Sequence, residues 1–170
     1  APSAHGPSDK VGGAQLVEHM VVKGTARRSA NQIALELEAL GGSLDAYTSR
    51  EHTVYQARVL DEHLDIAADV IGDFVFNPAL RKKDLDLERK VVLEEIAMVA
   101  DTPDDLVYAL HNEALRGAHP YGYSILGTRD SVSALGVDDL RALHARSYHP
   151  SQPILPVSGN LAPGALLASL

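Results

Sequence analysis

Cysteine is missing from this sequence, and so are long apolar runs, basic stretches, internal repeats and low-complexity linkers. Without cysteine there is no disulfide framework and no thiolate metal site, so any metal must be held by His, Asp or Glu. No apolar run approaches the ~20 residues that cross a bilayer, so no membrane span is expected. No charged-then-apolar leader opens the chain, and no secretory signal is visible. A processed mature protein reads the same way, so a soluble protein of either cytoplasm or periplasm is expected and the compartment stays open. Aromatic residues are 5% of the chain and the net charge is −8, with no basic stripe. That combination argues against nucleic acid as a partner. An acidic surface suits basic peptides, although most acidic surfaces serve solubility alone.

What is present suffices for one domain with a core: 170 residues, 45% of them hydrophobic. Residues 1–10 are small and polar and read as a loop. Ser8 or Asp9 can cap a first helix running to about Val22, with Gly24 beyond its end. Ser29 caps a second helix from Ala30 to Leu40, stopped by Gly41-Gly42. Two short strands are expected at about 43–49 and 52–59, the second rich in β-branched and aromatic residues. Helices follow from Asp61 to just before Asn77-Pro78 and at about 84–100. Thr102-Pro103-Asp104-Asp105 marks another start, with Thr102 as cap and acids on the positive helix end. Shorter helices are expected at about 129–135 and 137–147, and a third strand at Ile154–Ser158. Pro153 and Pro156 make that last strand a poor central one, because proline donates no ladder hydrogen bond. The fold class read from this pattern is α+β, a small mostly antiparallel sheet covered by helices. Three strands leave edges open, so either another chain or segment completes the sheet or the fold is smaller than this pattern suggests.

The chemistry lies on the first helix. Gln15, Glu18 and His19 stand at i, i+3 and i+4, on one helix face. His, Glu, His at that spacing is the inverted zinc motif, in which two imidazoles bind metal and the Glu acts on bound water. Here the first imidazole is an amide, a weak neutral ligand for zinc. Taken alone, the pentapeptide reads more simply as a Glu and a His on a partly buried face. Further on, Glu88 and Glu95 are seven residues apart, which returns them to nearly the same face about 10.5 Å apart along the axis. Val91, Val92 and Ile96 make much of that helix apolar, so its inward acids need partners. For Glu88 the simple partner is a basic residue such as Arg81 or Arg89, and Glu94 is the acid best placed for solvent. His5, ten residues before Gln15 on the expected loop, is a remote replacement ligand. No Gly-x-Ser-x-Gly elbow exists to suggest a serine hydrolase.

Gly12-Gly13-Ala14-Gln15-Leu16-Val17-Glu18-His19-Met20, Lys23-Gly24-Thr25 and Gly41-Gly42-Ser43-Leu44-Asp45-Ala46-Tyr47-Thr48-Ser49-Arg50-Glu51 occur in that order. Glu88-Arg89 and Glu95 follow, then Tyr121-Gly122, Leu126-Gly127, Tyr148-His149-Pro150 and Gly159-Asn160. Each piece is common; the ordered set, running from about Gly13 to Asn160, resembles the family of pitrilysin, insulin-degrading enzyme and mitochondrial processing peptidase. The 76 residues from His19 to Glu95 match the family's spacing as well.

The resemblance implies zinc as cofactor, His19 and Glu95 as ligands, Glu18 as general base and Glu88 as a supporting acid. It implies that Asp45, Ala46, Tyr47 and Thr48 form an edge to which an extended peptide adds. Gln15 stands at the first ligand position. Family enzymes use strands before the metal helix and a second, similar domain. Residues 1–170 therefore read as one truncated metallopeptidase-like domain, expected to associate with itself or with a second peptidase-like domain. The expected function is zinc-dependent endopeptidase action on peptides or unfolded protein, impaired by Gln15. The alternative is a non-catalytic relative that binds peptides or a partner chain. Glu18, His19, Glu88 and Glu95 favour the first; Gln15 and the absent second domain favour the second.

Overall fold

A left-handed glycine, rather than a serine or aspartate cap, sets the start of the first helix. The computed structural model describes residues 10–149, 151 and 153–160. Helix α1 spans Gly13–Val21, and its cap residue Gly12 has φ 87° and no capping side chain. A Cβ on Gly12 would lie 2.4 Å from the Leu126 carbonyl oxygen, so only glycine permits this close passage. The helix therefore begins later than the sequence suggests, while Ser8, Asp9 and His5 lie outside the described residues.

Helix α2, Ala30–Glu38, carries the expected Ser29 cap as a full capping box with Gln32. Strands β1 (Ser43–Thr48) and β2 (Thr53–Arg58) pair antiparallel, Ala46 opposite Tyr55 and Thr48 opposite Thr53. A 3-10 turn at Asp61–His63 leads into α3, Leu64–Phe76. Helix α4, Lys82–Asp101, meets α5, Pro103–Arg116, at Thr102. Thr102 does not cap α5: its hydroxyl donates back to the Met98 carbonyl at 2.8 Å. The break comes from Pro103, which forces the residue before it into extended backbone (φ −103°, ψ 106°). Helices α6 (Arg129–Ala134) and α7 (Val137–Ser147) complete the order.

The α+β reading holds, with a smaller sheet than expected. Among the described residues the sheet has two strands, and residues 153–158 form no strand. Pro153 and Pro156 offer no donor, and Ile154 is 90% exposed, so the segment gains neither ladder nor burial.

The core explains why α1 is fixed. Leu16, Val17, Met20 and Val21 of α1 are essentially inaccessible, as are Ile33 and Leu37 of α2, Val70 and Phe74 of α3, and Leu85 and Val92 of α4. Tyr55 of β2 meets Phe74 edge to face, with ring centroids 5.5 Å apart. Below α1, Arg28 bonds Glu36, Asp69 and Asp73, and the Thr25 hydroxyl donates to Asp73 at 2.8 Å. These carboxylates hold the Arg28 guanidinium charged, above its usual range and against the opposing effect of burial. The apolar stripe of α1 thus faces the core, leaving its Gln15–Glu18–His19 face turned toward α4 and the end of β1.

Candidate functional site

Two helices and one strand end meet at His19. Its Nδ1 lies 3.2 Å from Glu88 Oε2, and its Nε2 lies 3.2 Å from Gln15 Nε2 and 3.8 Å from Glu95 Oε1. The seven-residue repeat on α4 therefore sets Glu88 against one ring nitrogen and turns Glu95, more distant, toward the other. The basic partner of Glu88 is Lys23, with Nζ 2.9 Å from Oε1, and not Arg81 or Arg89. Arg81 instead bonds the Thr25 carbonyl and Asp84, and Arg89 bonds Asp86 and the carbonyls of Val132 and Leu135. Glu94 is exposed, as its rotation around the helix requires.

Glu18 is only 7% exposed and sits one residue before His19. The Thr48 hydroxyl donates to its Oε2 at 3.1 Å. Burial raises the Glu18 pKa above the ordinary carboxylate range, the nearby His19 and the Thr48 hydrogen bond oppose the rise, and the Glu95 charge adds to it. A carboxylate raised by burial is more basic than one in water, which suits a proton acceptor.

Beneath the strand, the Tyr55 and Tyr148 hydroxyls are 2.8 Å apart. Burial pushes the Tyr148 phenol up to about 12, and Tyr55 higher still, so both stay protonated.

Gln15, Glu18, His19, Glu88 and Glu95, picked out from the sequence, thus gather in one place. Along β1, Asp45 and Tyr47 turn outward and are exposed, while Ala46 and Thr48 turn inward and are half-buried. Thr48 reaches Glu18 directly, a contact that sequence spacing does not disclose. Lys23 is also new to the site. Its signal is faint: it lies four residues after His19, just past the end of α1. Among the described residues the remaining histidines form no metal-binding group, and His144 bonds the Val75 carbonyl through Nε2 at 2.8 Å.

The arrangement fits a catalytic zinc poorly. Such sites use three protein ligands, drawn from imidazole, carboxylate and thiolate, plus an open position. Only one imidazole and one carboxylate face the Nε2 side of His19, and the third neighbour is an amide nitrogen, which donates and does not ligate. Among the described residues, no group of three or more His, Cys, Asp and Glu side chains is placed to hold a metal ion.

The helix-covered hairpin and the His19 cluster define a peptidase-type domain. Residues 1–129 match the family model described as Insulinase (Peptidase family M16), and this chain belongs to that family. An uncharacterized zinc protease of Mycobacterium leprae is 43% identical over 150 residues, covering 88% of this chain and 34% of the relative. An uncharacterized zinc protease of Bacillus subtilis is 39% identical over 160 residues, covering 94% of this chain and 39% of the relative. The chain thus spans well under half the length of these relatives. The crystal structure of a protease from Helicobacter pylori superposes with a TM-score of 0.96 at 23% identity, over 99% of this chain and 41% of that one, and so supports the fold. Among the described residues, no helix is long and apolar enough to cross a membrane.

Proposed function

We propose that this chain is the metal-helix domain of a zinc-peptidase-type protein and that it binds extended peptides along the outer edge of β1. With glutamine at position 15, hydrolysis by this domain is weak or absent. The observation that carries the reading is the Thr48–Glu18 hydrogen bond, which ties the end of β1 to the buried carboxylate beside His19.

The strand geometry supports it. Ser49 N–H donates to the His52 carbonyl at 2.8 Å and closes the hairpin. Counting back through the alternating antiparallel ladder turns the backbone groups of Leu44, Ala46 and Thr48 away from β2. A peptide pairing with those groups adds a strand, and its backbone passes Glu18 where Thr48 ends the edge. Glu18 then takes the general-base position, His19 and Glu95 the remaining ligand positions, and Glu88 supports His19. Zinc is the metal named for the relatives. In this chain Gln15 withholds the second imidazole, so no hydrolytic step is assigned to a bound ion.

A second peptidase-like domain is the partner this reading implies. The relatives are far longer than this chain. Leu87 and Met98 of α4, with Tyr108 and Leu115 of α5, are large apolar side chains more than half exposed, a surface suited to such a contact.

The test is fluorescence anisotropy with labelled unstructured peptides, run beside a cleavage assay with and without added zinc. Saturable binding with little or no cleavage is expected. No binding to any unstructured peptide overturns the reading, and rapid zinc-dependent turnover overturns the assigned impairment.

A further inference from the structure

We infer that Gln15 and Lys23 are positioning residues at the two ends of a hydrogen-bond chain, Lys23–Glu88–His19–Gln15, that orients His19 without metal. The inference rests on the site assignment above and concerns what fills the first ligand position.

With a neutral His19 ring, the donors and acceptors along the chain fit one arrangement. The Lys23 ammonium has only donors, so Glu88 Oε1, 2.9 Å away, accepts. An ionised carboxylate has no proton to give, so His19 Nδ1, 3.2 Å from Glu88 Oε2, must donate. A neutral ring that donates from Nδ1 presents a lone pair at Nε2. The group facing that lone pair at 3.2 Å is the Gln15 amide nitrogen, which can only donate. Every group therefore finds a complementary partner, and no buried side-chain polar atom among the described residues lacks one.

The lone pair that Gln15 engages is the one a metal ion requires. Glu95 Oε1, at 3.8 Å from Nε2, is beyond hydrogen-bonding range, so the amide is the only close partner on that side among the described residues. In the inverted motif the metal ion satisfies this nitrogen, and the first ligand residue binds the same ion. Here one side chain satisfies the nitrogen alone. Gln15 is thus a replacement for the ion's orienting role and a competitor for its binding, and Lys23 anchors the opposite end by fixing Glu88 as an acceptor.

The chain predicts a tautomer contrary to intrinsic preference, since free neutral histidine favours the proton on Nε2. Nitrogen-15 NMR of the imidazoles in mildly alkaline buffer, with His19 assigned through His19→Gln, reads this directly. The expected result is a proton on Nδ1 and an unprotonated, hydrogen-bonded Nε2, unchanged by one equivalent of zinc. Lys23→Met is expected to leave the proton on Nδ1 and to shift the Nδ1 resonance, as Glu88 loses its anchor, while the circular dichroism spectrum is retained. Gln15→Leu is expected to leave the Nδ1 proton in place and to move the Nε2 resonance toward that of an unbonded nitrogen. A proton on Nε2 in the unaltered protein overturns the inference, as does stoichiometric zinc moving the His19 Nε2 signal. A folded Lys23→Met variant with unchanged His19 signals removes Lys23 from the assignment. Peptide binding is read separately, so either result can fail while the other stands.

Discussion

The hydroxyl of Thr48 donates to Glu18 Oε2 at 3.1 Å, so the last residue of β1 is bonded to the buried carboxylate of α1. Thr48→Val keeps the β-branched shape and removes only the donor. Because the acceptor is buried and carries charge when ionised, the expected loss is about 1.5–3 kcal/mol of stability at neutral pH, read by urea denaturation. The Glu18 pKa is expected to rise further, since one of the influences that lowers it is gone.

Gln15→His is expected to raise zinc affinity by at least about 10-fold, since even groups that merely orient zinc ligands are worth about 10–100-fold. Calorimetric zinc titration checks this, and an unchanged affinity refutes the ligand assignment of His19 and Glu95. If the domain serves an enzyme, peptide cleavage returns with this change, at least when a partner domain is supplied, and is lost again with Glu18→Gln. If it is a binding subunit, zinc is held and nothing is cut.

Ala46→Pro addresses the strand edge alone. The Ala46 N–H faces away from β2, so proline removes one outward donor without removing a ladder bond. Peptide affinity is expected to fall roughly 5–10-fold, in line with the ~1 kcal/mol of a typical hydrogen bond, while thermal stability stays near that of the parent. Equal affinity for the two proteins places peptide binding elsewhere.

The fold and the site were legible to different degrees. Gln15, Glu18 and His19 could be placed on one face because helical spacing is local, and Glu88 and Glu95 because seven residues nearly complete two turns. Which acid meets which ring nitrogen depends on how α4 packs against α1, and no spacing rule reports that. The partner of Glu88 shows the limit: Arg81 and Arg89 are close in sequence, yet Lys23 at the end of another helix reaches it. Gly12 likewise looks like part of a helix until the Leu126 carbonyl is seen against it. The third strand failed because apolar composition at Ile154–Ser158 promised burial that its prolines and exposure do not deliver.

His144 supplies a test of stability against pH. Burial lowers its pKa below the ordinary histidine value of 6.5. The unfolded chain then binds the proton at higher pH than the folded one, so stability is complete above about 6.5 and falls as the pH drops through the lower folded value. Denaturation midpoints at neutral and mildly acidic pH are expected to converge in His144→Gln, which keeps a donor for the Val75 carbonyl and cannot titrate. An equal pH dependence in both proteins rules His144 out as a source.

Helix α5 contains no buried residue along its 14 positions, and Val107, Tyr108, Leu110 and Leu115 all stand more than half exposed. A lone helix of that length is marginal in water, because nucleation is costly and little tertiary packing offsets it. Its amides belong to the first part of the described fold to open, whereas those of α1, whose Leu16, Val17, Met20 and Val21 lie in the core, wait for global unfolding. In deuterium exchange α5, from Pro103 to Arg116, should therefore form a fast kinetic population, set apart from a slow one that holds His19, Glu88 and Glu95 together with the buried Val132 and Leu140.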